Sequence, residues 1–181
     1  MDMYTIKWTR LQAEIFRLLC IRAGQSLSLR GIARPLKRSP TAVSNALRDL
    51  EREGLINVKK TGNIRLLSIE LNRDNEKAIE LKRVENLRLI YESGLAKFLE
   101  ETFPGTTIIL FGSYSRGDDT INSDIDIAVI GTKEKDVDLT KFDKKLERTI
   151  MINFYPSFQK IHKHLRDNIL NGIILSGGVD I

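Results

Sequence analysis

The chain has 181 residues, 41% of them hydrophobic, with 29 Lys and Arg against 24 Asp and Glu. That is enough apolar material for packed cores, yet runs such as Leu18 to Ile21 and Ile108 to Phe111 fall far short of the roughly 20 residues a bilayer span requires, so no membrane role is expected. One cysteine, Cys20, cannot form an internal disulfide, and Lys7, Arg10, Glu14 and Arg17 interrupt any leader-like segment, which together fit a cytoplasmic protein.

Charge is shared unevenly along the chain. Residues 1–72 carry 13 Lys and Arg against 6 Asp and Glu, whereas residues 73–181 carry 16 against 18. A basic segment followed by a mildly acidic one points to a polyanionic partner for the first part only.

Trp8, Leu11, Ile15, Leu18 and Leu19 recur at helical spacing, and Gly24 with Gln25-Ser26 ends that helix. A short second helix is expected around Leu29 to Leu36. A third begins at Ser39, which can cap its N-terminus, with Pro40 suited to the first helical position and Val43, Ala46, Leu47 and Leu50 along one face. Gly54 stops it. Leu55 to Lys60, a Thr61-Gly62-Asn63 turn and Ile64 to Ile69 then read as a hairpin.

Three helices and a hairpin in this order resemble the winged helix-turn-helix family of DNA-binding domains, over residues 8–71. The resemblance makes the third helix the recognition helix, whose outer face keeps Thr41, Ser44, Asn45 and Arg48, types that contact phosphates and base edges in a major groove. The wing would bring Lys59, Lys60 and Arg65 to the neighbouring backbone of double-stranded DNA.

From Arg73 to Glu101 turn signals vanish, and Val84, Leu87, Tyr91, Leu95 and Phe98 recur at helical spacing. A long amphipathic helix is expected there, capped by Asn72 or Asp74 and broken at Gly94. Its apolar stripe is expected to pack mainly on the core, and it could also pair with a second copy of the chain in a homodimer. The expected division is a first domain over 1–72, a linker helix over 73–92 and a second domain over 93–181.

Thr106 to Phe111 is an apolar, β-rich run after Pro104-Gly105. It leads into Gly112-Ser113-Tyr114-Ser115-Arg116-Gly117 and, after a polar loop, into Ser123-Asp124-Ile125-Asp126-Ile127-Ala128-Val129-Ile130. Alternation along a strand puts Asp124 and Asp126 on one face and Ile125, Ile127 and Val129 on the other. Two such carboxylates can share a hard cation, and Mg²⁺ is bound by one or two carboxylates with substrate phosphates and water. Gly112 would let the backbone approach a nucleoside triphosphate, Ser113 adds a hydroxyl, and Arg116 offers a permanent charge to phosphate oxygens.

Strand, Gly-Ser, Arg-Gly and Ser-Asp-x-Asp strand in this order closely resemble the nucleotidyltransferase fold of the DNA polymerase β superfamily, in its minimal archaeal and bacterial form, over roughly residues 93–176. The resemblance implies an α/β domain with a mixed sheet. It implies triphosphate binding by Gly112 and Ser113, and two Mg²⁺ ions, replaceable by Mn²⁺, on Asp124 and Asp126. A later strand, expected over Thr149 to Tyr155, should supply a third carboxylate that helps activate the acceptor hydroxyl. It contains no acid, and Asn153 is taken to stand at that position, where an amide cannot act as a base.

Other candidates are weaker. His162 and His164 are spaced for different helix faces, Asp118 and Asp119 read as solvated loop acids, and Asp143 and Glu147 as a charged helix face that could approach the site. Three functions follow: a DNA-binding nucleotidyltransferase moving a nucleoside monophosphate from NTP to an acceptor, a transcriptional regulator with a nucleotide-sensing domain, or an antitoxin binding a helical toxin.

Overall fold

A computed structural model describes residues 8–61 and 66–179. The chain forms two compact units that divide between Ala78 and Ile79.

The first unit contains α1 (Arg10–Ile21), α2 (Leu29–Ala33), α3 (Pro40–Arg52) and an antiparallel hairpin of β1 (Ile56–Thr61) and β2 (Leu66–Leu71). Each helix starts on a side-chain cap. Thr9 and Gln12 make a reciprocal capping box on α1, Ser28 accepts from Gly31 N at 3.0 Å, and Ser39 accepts from Ala42 N at 3.1 Å. Caps of this kind contribute about 1 kcal/mol each. Ile15, Phe16 and Leu19 of α1 and Val43, Leu47 and Leu50 of α3 bury their side chains, and Gln12 Nε2 ties the two helices by donating to Asp49 Oδ2 at 2.8 Å. α2 stops short of the expected Leu36, since Pro35 has no N–H with which to continue the helical hydrogen bonds.

α4 (Glu76–Ser93) is capped by Asn75, whose Oδ1 accepts from Ala78 N at 3.2 Å, rather than by Asn72 or Asp74. The expected break falls at Gly94, at φ +85°, and α5 (Leu95–Thr102) follows. The apolar stripe divides. Leu95 is buried, but Val84 and Tyr91 are 62% and 53% exposed. The inward face of α4 is instead Ala78, Lys82, Asn86 and Ile90, at four-residue steps. Two of these are polar, which is why apolar periodicity selects the wrong face.

The second unit is built on a four-stranded mixed sheet in the order β5 (Ile150–Tyr155), β4 (Ile125–Ile130), β3 (Thr107–Phe111), β6 (Ile173–Ser176). β3 runs antiparallel to β4 and β6, and β4 runs parallel to β5. Both faces are covered. Ile125, Ile127 and Val129 pack with Leu95, Leu99 and residues of α7 (Thr140–Leu146), as alternation predicts. Ala128 and Ile130 pack on the other face with Phe158 and Ile161, which precede α8 (Lys163–Leu170), and with Ile169 within it. Burial of each large aliphatic side chain contributes roughly 1.5–3 kcal/mol, so β4 is held from both sides.

Candidate functional site

The site forms where β3 turns into the five-residue helix α6 (Gly112–Arg116) beside the start of β4. Phe111 pairs with Asp126 across the two strands, which brings the Gly-Ser turn level with the second aspartate. Gly112 has φ +74°, and a Cβ there would overlap the Asp126 carboxylate, with Cγ at 3.2 Å. The glycine is thus required twice, for its left-handed backbone and for the space it leaves to the carboxylate.

Asp124 lies exposed just before β4, and Asp126 is partly buried. Burial pushes the Asp126 carboxyl above the ordinary range; the Asp124 charge adds to this and Arg116 opposes it. A carboxylate whose proton affinity is raised by burial and by a neighbouring carboxylate, with a guanidinium close by, suits a cation that would replace the proton. Among the described residues, no set of three His, Cys, Asp or Glu side chains is placed to hold a metal ion. The donors present therefore fit one hard cation completed by phosphate and water better than a fully enclosed ion. Arg116 is exposed, donates from Nε to Asp118 Oδ2 at 3.3 Å and from Nη1 to Asn168 Oδ1 at 3.4 Å, and so is held at the rim by the loop and by α8. Ser113 follows Gly112 in α6 and is partly exposed.

The β4–β5 register sets Asn153 away from the level of Asp126. Asp126 pairs with Met151, while Asn153 pairs with Ala128. Paired residues in a sheet share a face, so Met151 stands beside the carboxylate pair. Asn153 lies two residues onward, about 6.6 Å along the strand, lining a separate cavity with Lys133, Phe154 and Tyr155. Met151 is 48% exposed and cannot act as a base.

Asp119 is not a solvated loop acid. It is 1% exposed and ion-paired with Lys82, which is fully buried, whereas Asp118 is exposed as expected. Sequence alone carries no sign of this, because the partner Lys82 lies 37 positions away. A cavity of about 440 Å³ beside the site joins Asp124 to Ser123, Asp143, Lys144, Glu147 and Arg148. Asp143 is engaged there, accepting from Ile150 N at 3.0 Å. Glu147 takes the left-handed conformation at φ +53° where α7 ends. The His162 and His164 rings are 5.8 Å apart, with no further ligand type grouped around them among the described residues.

In the first unit, Thr41, Asn45 and Arg48 are exposed along α3 and Ser44 is partly so, opposite the buried Val43, Leu47 and Leu50. Lys59 and Lys60 are exposed on β1, and Lys59 Nζ is 3.3 Å from Glu70 Oε1 on β2. Arg65 lies outside the described residues.

Comparison with known proteins separates the two units in the same way. The model of the nucleotidyltransferase domain matches residues 92–176, and the model of the MarR family matches residues 11–63. No curated protein matches. Among solved structures, a point mutant of ZitR from Lactococcus lactis is similar at 28% identity over 57% of this chain and 67% of its own, with a TM-score of 0.42. AdcR from Streptococcus pyogenes is similar at 22% identity over 57% and 72%, with a TM-score of 0.43. MepR of S. aureus in a DNA complex is similar at 26% identity over 52% and 81%, with a TM-score of 0.38. The chain thus carries a MarR-type winged helix followed by a nucleotidyltransferase domain.

Proposed function

We propose that this protein is a DNA-binding regulator whose second unit binds a magnesium-bound nucleoside triphosphate. Asp124 and Asp126 hold the cation together with the phosphates, Gly112 and Ser113 take the triphosphate, and Arg116 offsets its charge at the rim. The observation that carries this reading is the fit of Gly112 against Asp126. A backbone opened by a glycine and a carboxylate raised in proton affinity meet at one point, two residues after Asp124. In the first unit the exposed Thr41, Asn45 and Arg48, with the partly exposed Ser44, read the major groove, and Lys59 and Lys60 meet phosphates.

Met151 opposite Asp126 favours binding over transfer, since β5 offers the acceptor hydroxyl no base at the level of the carboxylate pair. Calorimetry with Mg²⁺ and each of the four NTPs tests the reading. Binding by the wild type, lost in Asp124→Ala and Asp126→Ala, is expected; no binding, or equal binding by all three proteins, overturns it.

A second reading, transfer of a nucleoside monophosphate with release of pyrophosphate, draws on the cavity that joins Asp124 to Glu147. Glu147 would then be the base. Rapid Mg²⁺-dependent pyrophosphate release by the wild type, reduced about 10²- to 10⁴-fold in Glu147→Gln, would favour it over the binding-only reading.

A further inference from the structure

Behind the nucleotide loop, four polar side chains meet out of reach of solvent, and nothing in the reading above uses them. Lys82 and Asp119 form a buried ion pair. Asn86 donates through Nδ2 to Asp119 Oδ1 at 2.7 Å and to the Tyr114 carbonyl at 2.9 Å. Arg148 Nη2 lies 3.5 Å from Asp119 Oδ2, and Lys82 Nζ lies 5.9 Å from the centre of the Tyr114 ring. Two cations and an amide therefore converge on one carboxylate.

Apart from α4, each group comes from a segment that borders the site. Lys82 and Asn86 belong to α4, Tyr114 follows Ser113 in α6, Asp119 lies in the loop that ends at Asp124, and Arg148 lines the cavity beside Asp124. The loop also rests directly on α4. Gly117, at φ +85°, packs so closely that a Cβ would come within 2.9 Å of Arg83 N. Desolvating an ion pair is costly, and well-packed apolar residues of similar volume stabilise a fold at least as well. Folding energy alone gives little reason to bury this cluster.

We propose that Asp119 is a positioning residue: through Lys82, Asn86 and Arg148 it fixes α6 and the loop over residues 117–124 on α4. Gly112-Ser113 and Asp124-Asp126 then face one another before the nucleotide arrives. Binding there tightens the hold on the middle of α4, the helix into which the winged-helix unit continues. The proposal rests on the Mg²⁺-NTP reading.

The test uses the full chain and an apolar replacement of the cluster, Lys82→Met/Asp119→Leu/Arg148→Met. If the cluster positions the site, this variant keeps wild-type thermal stability or exceeds it, yet binds Mg²⁺-NTP at least tenfold more weakly. A stable variant with unchanged affinity overturns the proposal and leaves the binding reading intact. A second measurement needs no variant. Hydrogen exchange of the wild type should slow at backbone amides of residues 79–90 when the Mg²⁺-NTP that it binds is added, and unchanged exchange there overturns the proposal even if the triple variant does not fold. Failure of the wild type to bind any Mg²⁺-NTP removes both the proposal and the reading beneath it.

Discussion

Asp126 stands where two demands conflict, because its carboxyl is desolvated beside another acid and yet must be ionised to hold a cation. Its proton affinity is raised in the folded chain, so the native state binds more protons than the unfolded state between the two pKa values. Stability of the metal-free protein therefore falls as pH rises through that window. Asp126→Asn should raise the melting temperature of the metal-free protein at neutral pH and lower Mg²⁺-NTP affinity at least tenfold. In the wild type, metal affinity should weaken as pH falls through the raised carboxyl pKa; thermal scans and calorimetry against pH check both outcomes. Met151 gives the second residue-scale prediction. It pairs with Asp126 and is half exposed, so an acid fits there without burying charge. Met151→Asp should raise Mg²⁺-dependent pyrophosphate release by about 10²- to 10⁴-fold, and Asn153→Asp should not, because it stands beside Ala128. Asn153 is the natural choice from sequence as the central polar residue of its strand. Only the register shows that it lies two positions beyond the partner of Asp126.

At the scale of elements, α3 and the wing are legible because each announces itself locally. Ser39, Pro40 and the spacing of Val43, Leu47 and Leu50 fix both the start of α3 and its buried face, leaving Thr41, Asn45 and Arg48 outside. The wing adds something sequence does not offer, namely the pairing of Lys59 with Glu70 across the hairpin. Glu70 competes with phosphate for that cation. Lys60→Ala should therefore weaken DNA binding and reduce the slope of log affinity against log salt by roughly one, with a smaller effect for Lys59→Ala. Glu70→Ala should strengthen binding. Titrations of duplex DNA at several salt concentrations distinguish these outcomes, and equal effects of the two lysines would deny Glu70 its part. α4 is the element least legible from sequence, because its buried face contains Lys82 and Asn86 while Val84 and Tyr91 are exposed.

For the whole molecule, the split in charge along the chain coincides with two compact units. The cations proposed to meet DNA and the carboxylates proposed to hold Mg²⁺ lie in different units. Asp124→Ala should consequently abolish Mg²⁺-NTP binding while leaving DNA affinity, measured without nucleotide or added metal, within about twofold of the wild type. A DNA affinity changed well beyond that by this substitution would mean that the acidic site takes part in DNA binding directly.

Sequence by itself determined the two-part organisation, the mixed α/β character of the second part, and the Gly-Ser turn with its paired aspartates. These depend on short-range chemistry: caps, glycine turns, strand alternation and motifs a few residues long. Tertiary structure decided which residue stands beside Asp126, how Gly112 and its carboxylate fit together, and that Asp119 is buried among Lys82, Asn86 and Arg148. Each of these is a contact between segments far apart in the chain, set by strand register or by burial. A charged residue looks the same in sequence whether it faces water or a partner 37 positions away.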